Sequence, residues 1–208
     1  MKMVLVGRSG STRERRFEMR LRKDGEVVRS YVRFSSPTDV AGTQLVVVDH
    51  PDRIDEQLLY LPALKRTNRI AGKARSGSFM GSDFAFEDLE ISQGDNDQHT
   101  LIDESDAAWI IETTPSADSS YSTIRSHVSR ADNMPRLVEF YRNGELAKRL
   151  TITHTESDGD TLVPTRSVME NLQRGTQTIL EVEQYRLNVP AAEIPDETFT
   201  AEYMKRNG

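Results

Sequence analysis

The chain has 208 residues, enough for one domain with a sizeable core and short for two. Its 27 Lys and Arg stand against 33 Asp and Glu, and a net charge of −6 argues against a phosphate-tracking nucleic-acid groove. With no cysteine, thiol catalysis, disulfides, cysteine-bound zinc and a lipidated N-terminal cysteine are excluded for this segment.

From the start, MKMVLVG (Met1 to Gly7) falls short of the ~7–15 apolar residues of a secretory signal, and nothing approaches the ~20 of a membrane span. Residues 2–8 read as a first strand. Phe17, Met19 and Leu21 then alternate with Glu18, Arg20 and Arg22, and Asp24-Gly25 turns the chain into Val28, Ser30, Val32 and Phe34. Further strands are predicted at 43–49, 56–61 and 64–70.

Residues 73–91, KARSGSFMGSDFAFEDLEI, break the pattern by setting Phe79, Met80, Phe84 and Phe86 among turn-forming glycines and serines. These four are either a plug for the core or a lid over something. Ser82 is placed to cap a short helix over 83–89 with Asp83 at its positive end; a strand is the alternative.

Strands follow at 98–104, 107–114 and 122–131. Asn143-Gly144 joins Leu137–Tyr141 to Leu146–Ile152, and Asp158-Gly159 precedes a strand near 162–173. In the last long strand Leu180 and Val182 share a face while Tyr185, Leu187 and Val189 take the other, which predicts a β-bulge near Glu183-Gln184. The closing PDETFTAEYMK has room for one helical turn.

Ten or eleven antiparallel strands cannot stay flat, so they curl into a barrel or split into a sandwich. The apolar share is 36 %, or about 42 % with glycine, a little under the ~45–50 % of globular domains. That suits a strand-rich chain with much solvent-facing sheet or with a partly hollow interior.

Catalytic patterns are absent from the sequence. His50, His99, His127 and His154 are scattered with no HExxH pair, and Glu156, Asp158 and Asp160 lack the spacing of a calcium loop, so they read as a hairpin turn. There is no GxSxG elbow, P-loop or GxGxxG, and pairs such as Glu87-Asp88 are expected by chance among 33 acids. An enzyme is therefore disfavoured. Lys65, Arg66, Arg69, Lys73 and Arg75 form a basic run with no acid between 57 and 82, either a solvated loop face or a surface for anionic head groups or an acidic partner.

One stretch resembles a known family. Tyr60-Leu61-Pro62-Ala63-Leu64-Lys65-Arg66, Arg69-Ile70, Gly77-Ser78-Phe79-Met80-Gly81-Ser82-Asp83-Phe84 and Glu87-Asp88-Leu89, within Asp55 to Ile91, are similar to the signature of the outer-membrane lipoprotein-sorting protein family, a branch of the LolA-like superfamily. Weaker similarity runs through Arg13–Phe34, Pro135–Leu150 and Ile194–Thr200.

The resemblance implies a mainly β fold: a single strongly curved antiparallel sheet forming an incomplete barrel around an apolar cavity, with short helices and loops as a lid. It implies one domain over 1–208, and a signal peptide and first helix that precede the first strand in relatives and are not in this sequence. The expected role is non-enzymatic: a periplasmic carrier or chaperone for the acyl chains of a lipid or lipoprotein, with no cofactor and no metal. On that reading Phe79, Met80, Phe84 and Phe86 are lid or cavity wall, hinged at Gly77 and Gly81. Leu45, Val47, Leu59, Leu61, Trp109 and Ile111 line the hollow, and the basic run meets head groups or a partner. The alternative is an envelope interaction module that works with an exporter of the resistance-nodulation-division type and carries no lipid.

Overall fold

Period-two alternation produces one antiparallel sheet of thirteen strands, two more than the sequence predicts at most. The computed structural model describes residues 1–51, 55–90, 97–116 and 118–208, so Ile91, at the end of the recognised stretch, lies outside the described residues. In chain order the strands are β1 (Lys2–Val6), β2 (Thr12–Asp24), β3 (Val27–Ser36), β4 (Gln44–Asp49), β5 (Glu56–Leu61), β6 (Arg66–Ile70) and β7 (Gln98–Glu104). They continue with β8 (Ala108–Thr114), β9 (Thr123–Ser129), β10 (Pro135–Arg142), β11 (Glu145–Asp158), β12 (Thr161–Asn171) and β13 (Thr176–Glu181).

Their order across the sheet is β6-β5-β4-β3-β2-β1-β13-β12-β11-β10-β9-β8-β7. Each chain-adjacent hairpin is a spatial neighbour, and the β1–β13 pair closes the two halves of the chain onto each other. β6 and β7 remain as edges, so the sheet is not closed into a barrel. Asn143 and Gly144 both take positive φ, 50° and 81°, the conformation a two-residue hairpin turn needs to match strand twist.

Two predicted elements differ. β13 ends at Glu181: Val182 N donates to Thr165 O at 2.9 Å and the chain then leaves the ladder, so the change of parity at Glu183-Gln184 marks a departure from the sheet rather than a bulge. Over 83–89 there is a 3₁₀ turn, Phe86–Leu89, and no helix begins at Ser82. The Ser82 hydroxyl instead donates back to Phe79 O at 2.6 Å, closing the turn before it.

Hydrogen bonds across the sheet show how far it curls. β5 and β11 stand seven positions apart in the strand order, about 33 Å if the sheet were flat. Yet Phe86 O accepts from Gln57 of β5 at 3.1 Å, and the Asp88 carboxylate is 2.9 Å from Lys148 of β11. Two residues of chain reach about 7 Å, so the two strands face each other across a narrow interior.

One face of the sheet therefore points inward. Met3, Leu5, Phe17, Val32, Phe34, Leu45, Val47, Leu59, Phe140 and Met169 share it and form one buried cluster. The outward face carries cross-strand ion pairs such as Arg125–Glu112 at 2.8 Å and Lys2–Glu181 at 2.6 Å.

Over β3 to β5 that outward face is covered by the C-terminal segment, whose predicted helical turn becomes a 3₁₀ turn at Asp196–Phe199 and a short helix, α1 (Ala201–Arg206). Phe199 and Met204 pack on Tyr31, Val46 and Tyr60 as a second core. Gln44, fully buried, donates to Met204 O at 2.8 Å and accepts from Tyr31 OH at 2.8 Å, which fixes the segment in place.

Candidate functional site

The segment 72–90 lies on the inward face and fills part of it. Gly77 to Phe86 is a small hairpin: Phe79 N donates to Phe84 O at 2.8 Å and Phe86 N to Gly77 O at 3.1 Å. Met80 and Gly81 occupy its turn with φ of 50° and 72°. A left-handed methionine is disfavoured, and it is held because the guanidinium of Arg15, itself buried, donates to Met80 O. Burial pulls the Arg15 pKa below its ordinary value.

The aromatics of this hairpin are core. Phe79 is 3 % exposed and its ring lies 5.7 Å from those of Phe34 and Phe86, while Phe84 and Phe86 are equally enclosed. Leu45, Val47 and Leu59 belong to the same cluster, with Leu61 and Met80 packed at its margin.

Four carboxylates tie the segment to the sheet. Asp83 accepts from the hydroxyls of Thr176 at 2.5 Å and Thr178 at 2.9 Å, and its own N–H donates to Thr178 Oγ1. Glu87 accepts from Ser119 Oγ, Ser120 N and Ser120 Oγ. Asp88 accepts from Ala85 N and Tyr121 OH, both at 2.7 Å, and from Lys148 Nζ at 2.9 Å, with side-chain exposures of 1 % for Asp88 and 6 % for Lys148. Burial, then the charge of Asp88, pushes the Tyr121 phenol far above its ordinary range, so it stays a donor.

Glu90 accepts from Gln57 Nε2 at 2.7 Å and from Arg75 Nε at 3.0 Å. Burial raises its carboxyl to about 7, against the opposing pull of Arg75. The sequence leaves this stretch open between plug and lid, with the family reading placing hinges at Gly77 and Gly81; in the fold the segment is bonded as a plug to β5, β11 and β13. Only Gly81 of the two glycines adopts the left-handed conformation.

Away from the plug, the inward face is partly buried and largely apolar, with Ser126 and Ser167 set among its apolar residues. Register places Trp109 opposite Val128, Ile111 opposite Leu101 and Ser126, and Ser126 opposite Val138. Val138 then faces Leu150, and Ser167 faces Leu180, so the band runs from β7 through β11 and on to β13. Ile124, Val138, Leu150 and Leu180 abut the buried cluster at partial exposure, and Leu101 at the edge is 53 % exposed. The Arg130 guanidinium lies 5.0 Å from the Trp109 ring centroid.

Of the residues singled out in the sequence, Trp109 and Ile111 thus stand apart from the other eight apolar positions and sit on this band. Val128, Val138, Leu150 and Leu180 were missed, although the same alternation that marked Ile111 marks each of them. Of the basic run, Arg75 is committed to Glu90, while Lys65, Arg66, Arg69 and Lys73 are exposed on and beside edge strand β6. The histidines lie on separate partners: His50 near Glu56, His99 on Thr113, His127 near Glu139 and His154 on Thr153.

Comparison with known proteins agrees with this architecture. A domain from Vibrio parahaemolyticus, provisionally assigned as an outer membrane lipoprotein-sorting protein, is 29 % identical and superposes with a TM-score of 0.87 over 99 % of this chain and 89 % of that one. A DUF1329 family protein from Desulfovibrio piger is similar in fold, at 24 % identity, TM-score 0.84, 96 % of this chain and 89 % of that one. So is a LolA superfamily protein, NE2245, from Nitrosomonas europaea, at 18 %, 0.73, 97 % and 88 %. No curated protein matches the chain. A family model described as "Uncharacterized protein" matches residues 26–206. The chain belongs to the family that this model describes, and it shares its fold with the LolA superfamily protein.

Proposed function

We propose that this protein is a periplasmic carrier that shelters the acyl chains of a lipid or lipoprotein against the half-exposed apolar band of β7 to β11 and β13, as a step in outer-membrane lipoprotein sorting. The observation that carries the reading is the band itself: Trp109, Ile111, Val128, Val138, Leu150 and Leu180 share the inward face but lie outside the tightly buried cluster. A protein that packs Phe79, Phe84 and Phe86 to 7 % exposure or less has the means to fill its interior, and here it does so only in part.

The energetics suit carriage. Burying a sixteen-carbon chain hides about 14 methylenes at ~0.8 kcal/mol each, roughly 11 kcal/mol gross, before the costs of ordering and association. An apolar band gains this without hydrogen-bond specificity, so one carrier serves many cargoes. Since the plug is braced by buried carboxylates, cargo enters beside it rather than by lifting it. No catalytic step is assigned: the acids of the plug are each engaged in holding it, and Glu87, Asp88 and Glu90 all have named partners.

The test is binding of a fluorescent fatty acid and its displacement by a lipopeptide. Ile111→Asp and Val138→Asp are expected to weaken binding at least ten-fold while the thermal midpoint moves by only a few degrees. Absence of probe binding by the wild type, or equal binding by both variants, overturns the proposal.

A second reading has its own support. β7 is a sheet edge with every residue exposed, including Leu101 and Ile102 at 53 % and 45 %, and such an edge suits pairing with a strand of another envelope protein. Capture of a partner that is lost on Ile102→Pro, with no lipid in organic extracts, favours that module over the carrier.

A further inference from the structure

The edge opposite β7 carries a different surface. The chain leaves β5 through a 3₁₀ turn, Pro62–Leu64, and Leu64 at its end is 65 % exposed, the most exposed large apolar side chain among the described residues. Lys65 follows in the left-handed conformation, with φ of 47°, and its N–H donates to Pro62 O at 3.0 Å, so the turn is a fixed knuckle. Edge strand β6 then presents Arg66 and Arg69, and Lys73 follows in the next turn.

Among the described residues, none of Lys65, Arg66, Arg69 and Lys73 has an ion-pair partner, in a protein where most other cations of the sheet do. Register separates the two arginines: Arg66 lies opposite Leu61 and so on the inward parity, whereas Arg69 lies opposite Leu58 on the outward parity. Both sides of the edge are therefore basic. The adjoining α1 adds Lys205 against Glu202, and Arg206 is paired with Glu197, so it leaves the sign unchanged.

An exposed leucine on a turn, followed along the same sheet edge by four cations without ion-pair partners among the described residues, in a chain of net charge −6, is a pattern with a specific physical fit. We propose that this edge docks on a bilayer containing anionic phospholipid, with the Leu64 side chain inserted below the phosphates and Lys65, Arg66, Arg69 and Lys73 contacting them. Each cation near an anionic surface is worth about 1 kcal/mol and the attraction decays over a Debye length. One leucine adds a short-range apolar contribution. The exposed leucine at the head of this basic edge adds an apolar contact that purely electrostatic pairing with an acidic surface would not supply. The inference draws on the carrier reading only in supposing that cargo is collected at a membrane, and its test needs no cargo.

The experiment is flotation of the full chain with phosphatidylcholine vesicles containing increasing phosphatidylglycerol. Binding is expected to rise with the anionic fraction and to fall with salt. Arg66→Gln with Arg69→Gln, both on an exposed edge, is expected to weaken it roughly 30-fold, the loss of two such contacts. Leu64→Trp is expected to bind and to shift its fluorescence to the blue when anionic vesicles are added, a readout that purely electrostatic adsorption or an unfolded variant would not give. Circular dichroism matched to wild type confirms that both variants are folded. No binding of wild type at any phosphatidylglycerol content, binding undiminished in the double variant, or an unshifted Leu64→Trp spectrum overturns the proposal. Failure here with retained fatty-acid binding leaves the carrier reading standing, and the reverse result separates the two the other way.

Discussion

Lys148 Nζ lies 2.9 Å from Asp88 Oδ2, with both side chains almost wholly removed from solvent, and the pair joins the plug to a strand that is seven positions from β5 in the sheet. Tyr121 completes it, donating to Asp88 and placing its ring 5.6 Å from the Lys148 ammonium. Removing one member leaves a buried charge without its counterpart. Asp88→Asn or Lys148→Met is expected to cost about 3–5 kcal/mol, read by urea denaturation. The double variant is expected to cost less than the sum, and additivity in that cycle would show the pair to be uncoupled.

Asp83 is the other anchor. Its carboxylate and its N–H together engage Thr176 and Thr178 of β13. Asp83→Ala is expected to destabilise by about 2 kcal/mol or more, and hydrogen exchange should accelerate at Phe79 and Phe86, whose N–H groups close the small hairpin. Amides of β8 and β9 should keep their protection; equal acceleration there would mean that the plug has no local stability of its own.

Core and band should respond differently to truncation. Phe79→Ala opens a space against Phe34 and Phe86 and is expected to cost about 3–5 kcal/mol. Ile111→Ala, on the half-exposed band, should cost about 1 kcal/mol while weakening fatty-acid binding. Scanning calorimetry beside probe titration separates the two, and a reversed order of effects would place the ligand at the plug.

The pH profile should carry the mark of Glu90. Its carboxyl is raised from 4.5 to about 7 by burial, so between those values the folded state holds a proton that the unfolded chain has released. Its contribution to stability is therefore complete below about 4.5 and lost as pH rises through about 7. Glu90→Gln, which keeps an oxygen for Gln57 and Arg75, is expected to flatten that decline in a series of denaturation curves. A slope unchanged from wild type would assign the dependence to another group.

Hairpins were the legible part of the sequence. Asn143-Gly144, Asp24-Gly25 and Asp158-Gly159 each mark a turn that the structure contains, because positive φ is a demand of the local backbone and few residues meet it. The end of β13 was not legible, since the Val182-to-Val189 alternation continues after the chain has left its partner strands. Ser82 misled for a related reason. Its hydroxyl is a competent cap, and which neighbour it bonds depends on where the Phe79 turn packs.

Strand alternation, turn dipeptides and the signature between Asp55 and Leu89 were thus sufficient to state a curled antiparallel sheet and its family, because those features arise from backbone sterics and from residues close in sequence. They left Phe79, Phe84 and Phe86 open between plug and lid. That question turned on contacts across 60 to 95 residues of chain, Lys148 with Asp88 and Thr178 with Asp83, which exist only once the sheet has curled far enough to bring β11 and β13 to the plug. The same curl leaves Trp109 and Ile111 beyond the plug's reach, and it is there that the inward face stays half-exposed.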